Sequence, residues 1–150
     1  MDTALTHYQR PGWFTRNIFN RTIRALTRLG LSVWGSRVLE HRGRRSGNLH
    51  HIPVNLLTVD GTEYLVAARG ETEWVRNVRA ADGQLVLILG RRRQIRTAEE
   101  IPASERAAIL RSYLARWKFE VGQFFDGVGP ESSDEELAAE AARHPVFALR

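Results

Sequence analysis

The sequence predicts an α+β domain: a mostly antiparallel sheet closing into a small barrel, preceded by an amphipathic helix and followed by further helices. Three observations carry that expectation. Strand-like apolar runs cluster in the middle of the chain, an Asp60-Gly61 pair stands between two of them, and helical periodicity dominates the two ends. The 150 residues are 43% hydrophobic and 26% charged, which suits one packed domain and not a disordered chain. No apolar stretch approaches the roughly 18 residues of a membrane span. The N-terminal MDTALTHYQRPGWFTRN lacks the apolar centre of a secretory signal, so a cytoplasmic location is expected. The absence of cysteine excludes disulfides, thiol redox chemistry and cysteine nucleophiles, and any redox role needs a borrowed cofactor.

From Trp13 to Leu31 the pattern is a basic amphipathic helix. Ile18, Phe19, Thr22, Ala25, Leu26 and Leu29 share one arc, while Asn17, Arg21, Arg24 and Arg28 share the other. Pro11-Gly12 marks its entry and Gly30 with Gly35 its exit. Its basic face is either a solvated surface or a dock for an anionic ligand tail or lipid headgroups.

A short apolar run, Val38-Leu39, then leads into the glycine-bounded basic turn Gly43-Arg44-Arg45-Ser46-Gly47. A long strand is predicted over 49–59, and Asp60-Gly61 predicts a type I′ hairpin pairing it with 63–68. Pro53 in that strand requires an edge or a bulge, because it has no N–H to donate. Residues 73–81 read as a short helix with Thr72 as N-cap and Gly83 past its end. Residues 85–89 read as a strand covered on both faces, returned by Gly90 into a strand over 92–97. A helix follows Pro102, with Ile109, Leu110, Tyr113, Leu114 and Trp117 at core spacing. Phe119, Val121, Phe124 and Phe125 belong to a glycine-punctuated connector, which either shapes a substrate pocket or fills the core. Ser133 and Glu136 form a capping box opening a helix to about Arg143, and 146–149 is a closing strand. The chain reads as a single domain over 1–150: the basic helix in 1–35, barrel strands in 36–98, helices and closing strand in 99–150.

Charge is unevenly spread. Lys118 is the only lysine beside 21 arginines; residues 1–98 carry a net charge of +9 and residues 99–150 a net of −4. The basic half invites an anion. Within it, the turn Gly43–Gly47 combines exposed backbone N–H groups, two guanidinium forks and the Ser46 hydroxyl, a phosphate cradle that lacks the spacing and lysine of a Walker A loop. A basic hairpin turn is equally at home in solvent. His50 and His51 point to opposite faces of one strand and His7, His41 and His144 are scattered, so no metal is expected. The arginines are not interleaved with aromatics on one sheet face, so no nucleic acid is expected.

The run HRGRRSG, HIPVNLL, the Asp-Gly hairpin, YLVAARG and EWVRNVRAA resembles the deazaflavin-dependent nitroreductase family, split β-barrel oxidoreductases that use coenzyme F420. The resemblance spans Val38 to Thr97, with weaker support from the basic helix and the final VFAL. It implies a cytoplasmic, F420-dependent oxidoreductase of FMN-binding split-barrel type. Such an enzyme passes hydride to an electron-poor small molecule: a quinone, a nitro compound or an activated alkene. It further implies that Arg44, Arg45, Ser46 and Gly47 hold the coenzyme's phosphate. Trp74 and Asn77 would stand beside the ring, Val66, Ala67 and Ala68 would present backbone to it, and Pro53 would lie nearby. Arg21, Arg24 and Arg28 would attract the anionic tail. No proton donor is assigned; Tyr64, Tyr113 and solvent are the options. The segment Arg69-Gly70-Glu71-Thr72-Glu73 is shorter and more charged than the glycine-pair loop of many relatives, which bears on the acceptor more than on the cofactor. The alternatives are an FMN-dependent split-barrel oxidoreductase and a barrel sequestering an apolar ligand, with its basic helix in peripheral contact with a membrane. A monomer and a homodimer are both compatible with the sequence.

Overall fold

The structure is a computed structural model that describes residues 35–150. The predicted N-terminal helix, with Arg21, Arg24 and Arg28, lies outside the described residues. Six strands, β1 (Ser36–Arg42), β2 (Leu49–Val59), β3 (Thr62–Val66), β4 (Gln84–Leu89), β5 (Arg92–Glu100) and β6 (Val146–Leu149), form a closed barrel in the order β1-β2-β3-β6-β5-β4. The helices are α1 (Glu73–Ala80), α2 (Ala107–Val121) and α3 (Asp134–Ala141). This is the split-barrel α+β architecture expected.

The described chain forms two compact units. The first comprises Leu57–Thr72 and Glu100–Ala148. Its core gathers Leu57, Leu110, Leu114, Trp117, Leu137 and Val146. The capping box is made as predicted: Ser133 Oγ accepts from Glu136 N–H at 3.1 Å, and Glu136 Oε1 accepts from Ser133 N–H at 3.0 Å. Helix α3 ends at Ala141, two residues short of the expectation, and His144 beyond it is fully buried. His144 stacks on Phe125 with centroids 4.0 Å apart, and its Nε2 lies 2.8 Å from Glu140 Oε1. The aromatic connector is partly helix, since α2 runs through Phe119 and Val121; Phe119 is exposed while Phe124 and Phe125 are buried. A groove of about 750 Å³ opens nearby, lined by Lys118, Gly122, Phe125, Val128, Gly129 and Ser132 among others.

The second unit comprises residues 35–56, Glu73–Glu99 and Leu149–Arg150. Strand β1 pairs antiparallel with both β2 and β4, and β4 with β5. It is longer than the predicted Val38-Leu39 run because Glu40 and His41, polar by letter, are buried against partners from elsewhere in the unit. Of the edge or bulge expected at Pro53, no bulge is made on the β1 side, since the β1–β2 register runs unbroken through Val38↔Pro53. Leu56 N–H donates to Gly35 O at 2.9 Å, which sets the parity of the ladder. Bonded and non-bonded pairs alternate from there, so Pro53 falls at a non-hydrogen-bonded pair where β1 requires no donor from it. Strand β4 is a second correction: only Leu85 and Leu87 are fully buried, while Val86, Ile88 and Leu89 are half-buried, so it faces a core on one side.

Candidate active site

The basic turn joins β1 to β2 at the point where His41 faces His50 across the ladder. Gly43 N–H donates to Asn48 O at 2.8 Å and Gly47 N–H to Gly43 O at 2.9 Å, folding residues 43–48 into a tight corner. Glycine suits both positions, for space at 43 and for backbone conformation at 47. A Cβ on Gly43 would meet Ser46 Oγ at 2.7 Å and His50 Nε2 at 3.1 Å, and Gly47 has φ +76°. Ser46 Oγ accepts from Asn48 N–H at 3.1 Å, and Arg42 donates to Gly47 O at 2.6 Å.

Helix α1 holds the corner from one side. Asn77, only 4% exposed, accepts through Oδ1 from Arg44 N–H at 3.1 Å and from the Arg44 guanidinium at 2.8 Å. The same guanidinium nitrogen donates to Glu73 Oε2 at 2.7 Å. Arg44 keeps Glu73 ionised below the usual carboxylate range, chiefly through that hydrogen bond. Asn77 Nδ2 lies 3.0 Å from His41 Nδ1, and His41 stacks on His50 with centroids 5.4 Å apart. Burial pushes the His41 pKa down to about 4, with His50 and His51 adding to the effect and Glu73 opposing it. Trp74, one helical turn before Asn77, is buried at the same end of α1.

Arg45 is exposed and makes no hydrogen bond among the described residues, and the Ser46 N–H is likewise uncommitted. An anion therefore meets a preset corner with the Arg45 guanidinium and the backbone N–H groups at 45 and 46 not hydrogen-bonded among the described residues, and the remaining nitrogens of Arg44. This donor set fits a phosphate.

Opposite parity places Glu40 and His51 on the other face. Glu40 accepts from both ends of the Arg93 guanidinium, at 3.2 and 2.8 Å, and lies 2.9 Å from His51 Nε2. A hollow of about 510 Å³ sits beside them, lined by Val38, His51, Ile88, Gly90, Arg91 and Arg93.

The structure thus brings Arg44, Arg45, Ser46, Gly47 and Asn77 together at one corner. Pro53 lies further along β2, half-buried, opposite Val38. Val66, Ala67 and Ala68 belong to the other unit, where β3 ends at Val66 rather than at Ala68. Ala67 N–H donates to Pro145 O at 2.8 Å and Ala68 N–H to Val66 O at 3.0 Å, so both leave the ladder and both donors are committed internally. The predicted Thr72 side-chain cap is not made. Its buried Oγ1 has no hydrogen-bond partner among the described residues and its N–H bonds to Gly70 O, so α1 opens on the acidic Glu73 instead. Tyr113 is 3% exposed, against Trp117 and Phe125, while Tyr64 is half-buried. The sequence reading missed His41 and Glu73. The hairpin symmetry of His41 and His50 about the corner, and the i, i+4 spacing of Glu73 and Asn77, were the available signals.

The closed barrel and the basic corner at its β1–β2 turn are the features compatible with a split-barrel protein that binds a phosphorylated cofactor. The sequence profile of the F420H(2)-dependent quinone reductase family matches residues 15–122, and the chain belongs to that family. It is an F420H2-dependent oxidoreductase, and its cofactor is coenzyme F420. No curated protein matches it. Among solved structures it is similar to an F420-H2 dependent reductase, FDR-A, at 20% identity and TM-score 0.51, with 77% of this chain and 94% of that chain covered. It is also similar to a domain-swapped dimer at 18% identity and TM-score 0.55, covering 87% and 94%. A third similar structure is the Agrobacterium tumefaciens protein Atu2129, of unknown function, at 19% identity and TM-score 0.57, covering 95% of this chain and 57% of that one. These likenesses describe the fold. Among the described residues no helix is long and apolar enough to cross a membrane.

Proposed function

We propose that the corner Gly43–Gly47 grips the phosphate of coenzyme F420, and that the electrons go to a quinone-type small molecule. The carrying observation is Asn77, whose single oxygen binds both the backbone and the guanidinium of Arg44 and so sets the corner before any ligand arrives. Arg45 and the N–H groups at 45 and 46 then supply charge-assisted donors, each bond contributing roughly 1.5–3 kcal/mol. When bound, reduced F420 supplies a hydride for transfer. The protein's own residues bind and orient: Arg44 is held in one rotamer by Glu73 and Asn77, and Ser46 offers its hydroxyl proton. The quinone class of acceptor is supported by the family's description.

The test is the double variant Arg44→Ala/Arg45→Ala, titrated with oxidised F420 by fluorescence quenching. Affinity is expected to fall about tenfold or more, with circular dichroism unchanged. Unaltered affinity in a folded protein overturns the assignment. Parallel titration of the wild type with FMN is expected to show weaker binding than F420.

A further inference from the structure

We propose that His41 is a positioning residue for the coenzyme-binding corner: its Nδ1 accepts from the Asn77 amide and so holds the Asn77 oxygen firmly against Arg44. The inference rests on the corner being the phosphate grip.

An asparagine amide has an accepting end and a donating end. Arg44 presents only donors to it, a backbone N–H at 3.1 Å and a guanidinium N–H at 2.8 Å, so the Asn77 oxygen must face Arg44. The NH₂ is thereby turned toward His41, whose Nδ1 lies 3.0 Å away and must accept. His41 accepts at Nδ1 only as the neutral tautomer that carries its proton on Nε2.

Three features maintain that state. His41 is 5% exposed and Asn77 4%, so neither finds water to satisfy a misplaced amide. The imidazole is stacked on His50, which fixes its plane. Desolvation, with His50 and His51 near by, keeps it uncharged at neutral pH, while Glu73 acts in the opposite sense. Arg44 is the other charged group at the Asn77 amide. Without an acceptor at position 41, the buried Asn77 NH₂ loses its partner, so the amide is no longer held from both ends and its grip on the Arg44 donors loosens.

The experiment measures F420 affinity by fluorescence quenching for His41→Phe, His41→Asn, Asn77→Ala, His41→Phe/Asn77→Ala and Arg45→Ala. Phe retains a ring but removes the acceptor, whereas Asn places an oxygen near the site of Nδ1. His41→Phe is expected to weaken binding about fivefold, and His41→Asn to recover most of the loss. In the Asn77→Ala background His41→Phe is expected to change little, because His41 acts through Asn77. Equal losses in His41→Phe and His41→Asn, a full His41→Phe loss persisting without Asn77, or no loss at all overturns the proposal. His41→Asn remains informative if His41→Phe fails to fold. The Arg45→Ala arm separates the two ideas. Unchanged affinity there refutes the corner as phosphate grip, whereas weak Arg45→Ala beside normal His41→Phe refutes only the role of His41.

Discussion

Arg93 of β5 closes on Glu40 of β1 through two guanidinium nitrogens, at 3.2 and 2.8 Å, across two strand pairings. Glu40 is nearly buried, and this fork, helped by His51, holds its carboxyl below the usual range although burial acts the other way. Arg93→Ala leaves a buried carboxylate with only His51 as partner, and is expected to destabilise the fold by about 1–3 kcal/mol in urea denaturation at pH 7. The sign in acid follows from the lowered pKa. Stability from ionised Glu40 is present above its unfolded pKa and is lost as pH falls through the folded one. The variant should therefore unfold at higher pH than wild type. Equal urea midpoints for the two proteins would show the fork to be inert.

Glu73 competes for the corner. Its carboxylate sits 2.7 Å from the Arg44 guanidinium and is mostly exposed. If the corner is the phosphate grip proposed above, an incoming phosphate shares Arg44 with Glu73 and feels its charge. Glu73→Gln is expected to tighten F420 binding by roughly two- to fivefold at low salt, an advantage that shrinks as salt screens it. It should also cost a few tenths of a kcal/mol in stability, because the acid sits in the first turn of α1. Weaker F420 binding in the variant would mean that Glu73 orders Arg44 more than it opposes the ligand.

His41 makes the native state acid-sensitive. Its pKa drops from 6.5 to about 4 on folding, mainly through burial. Between those values the unfolded chain takes up a proton that the native chain refuses, so stability falls as pH drops from about 6.5 to about 4 and levels off below. The loss is at most about 3.5 kcal/mol. His41→Asn carries no titratable group there. The stability difference between wild type and His41→Asn, followed by urea denaturation from pH 7 to pH 4, should shift steadily against the wild type. A difference independent of pH would refute the burial of a neutral imidazole.

What the sequence determined by itself is what neighbours along the chain determine. Asp60-Gly61 reverses the chain because both residues adopt positive φ, +49° and +81°, as a type I′ turn demands. Ser133 and Glu136 satisfy each other three residues apart, and the corner at 43–47 is built from its own glycines and arginines. Such features need only a few residues and local sterics, so they are legible letter by letter. Tertiary structure decided the rest: Glu40 and His41 are buried in β1, Pro53 sits inside an unbroken ladder, and Asn77 serves as the latch of the corner. Their partners lie 33, 36 and 53 residues away, at Arg44 for Asn77, Asn77 for His41 and Arg93 for Glu40. A polar side chain is buried only where a distant group of matching hydrogen-bond sense meets it, and no local pattern records that meeting.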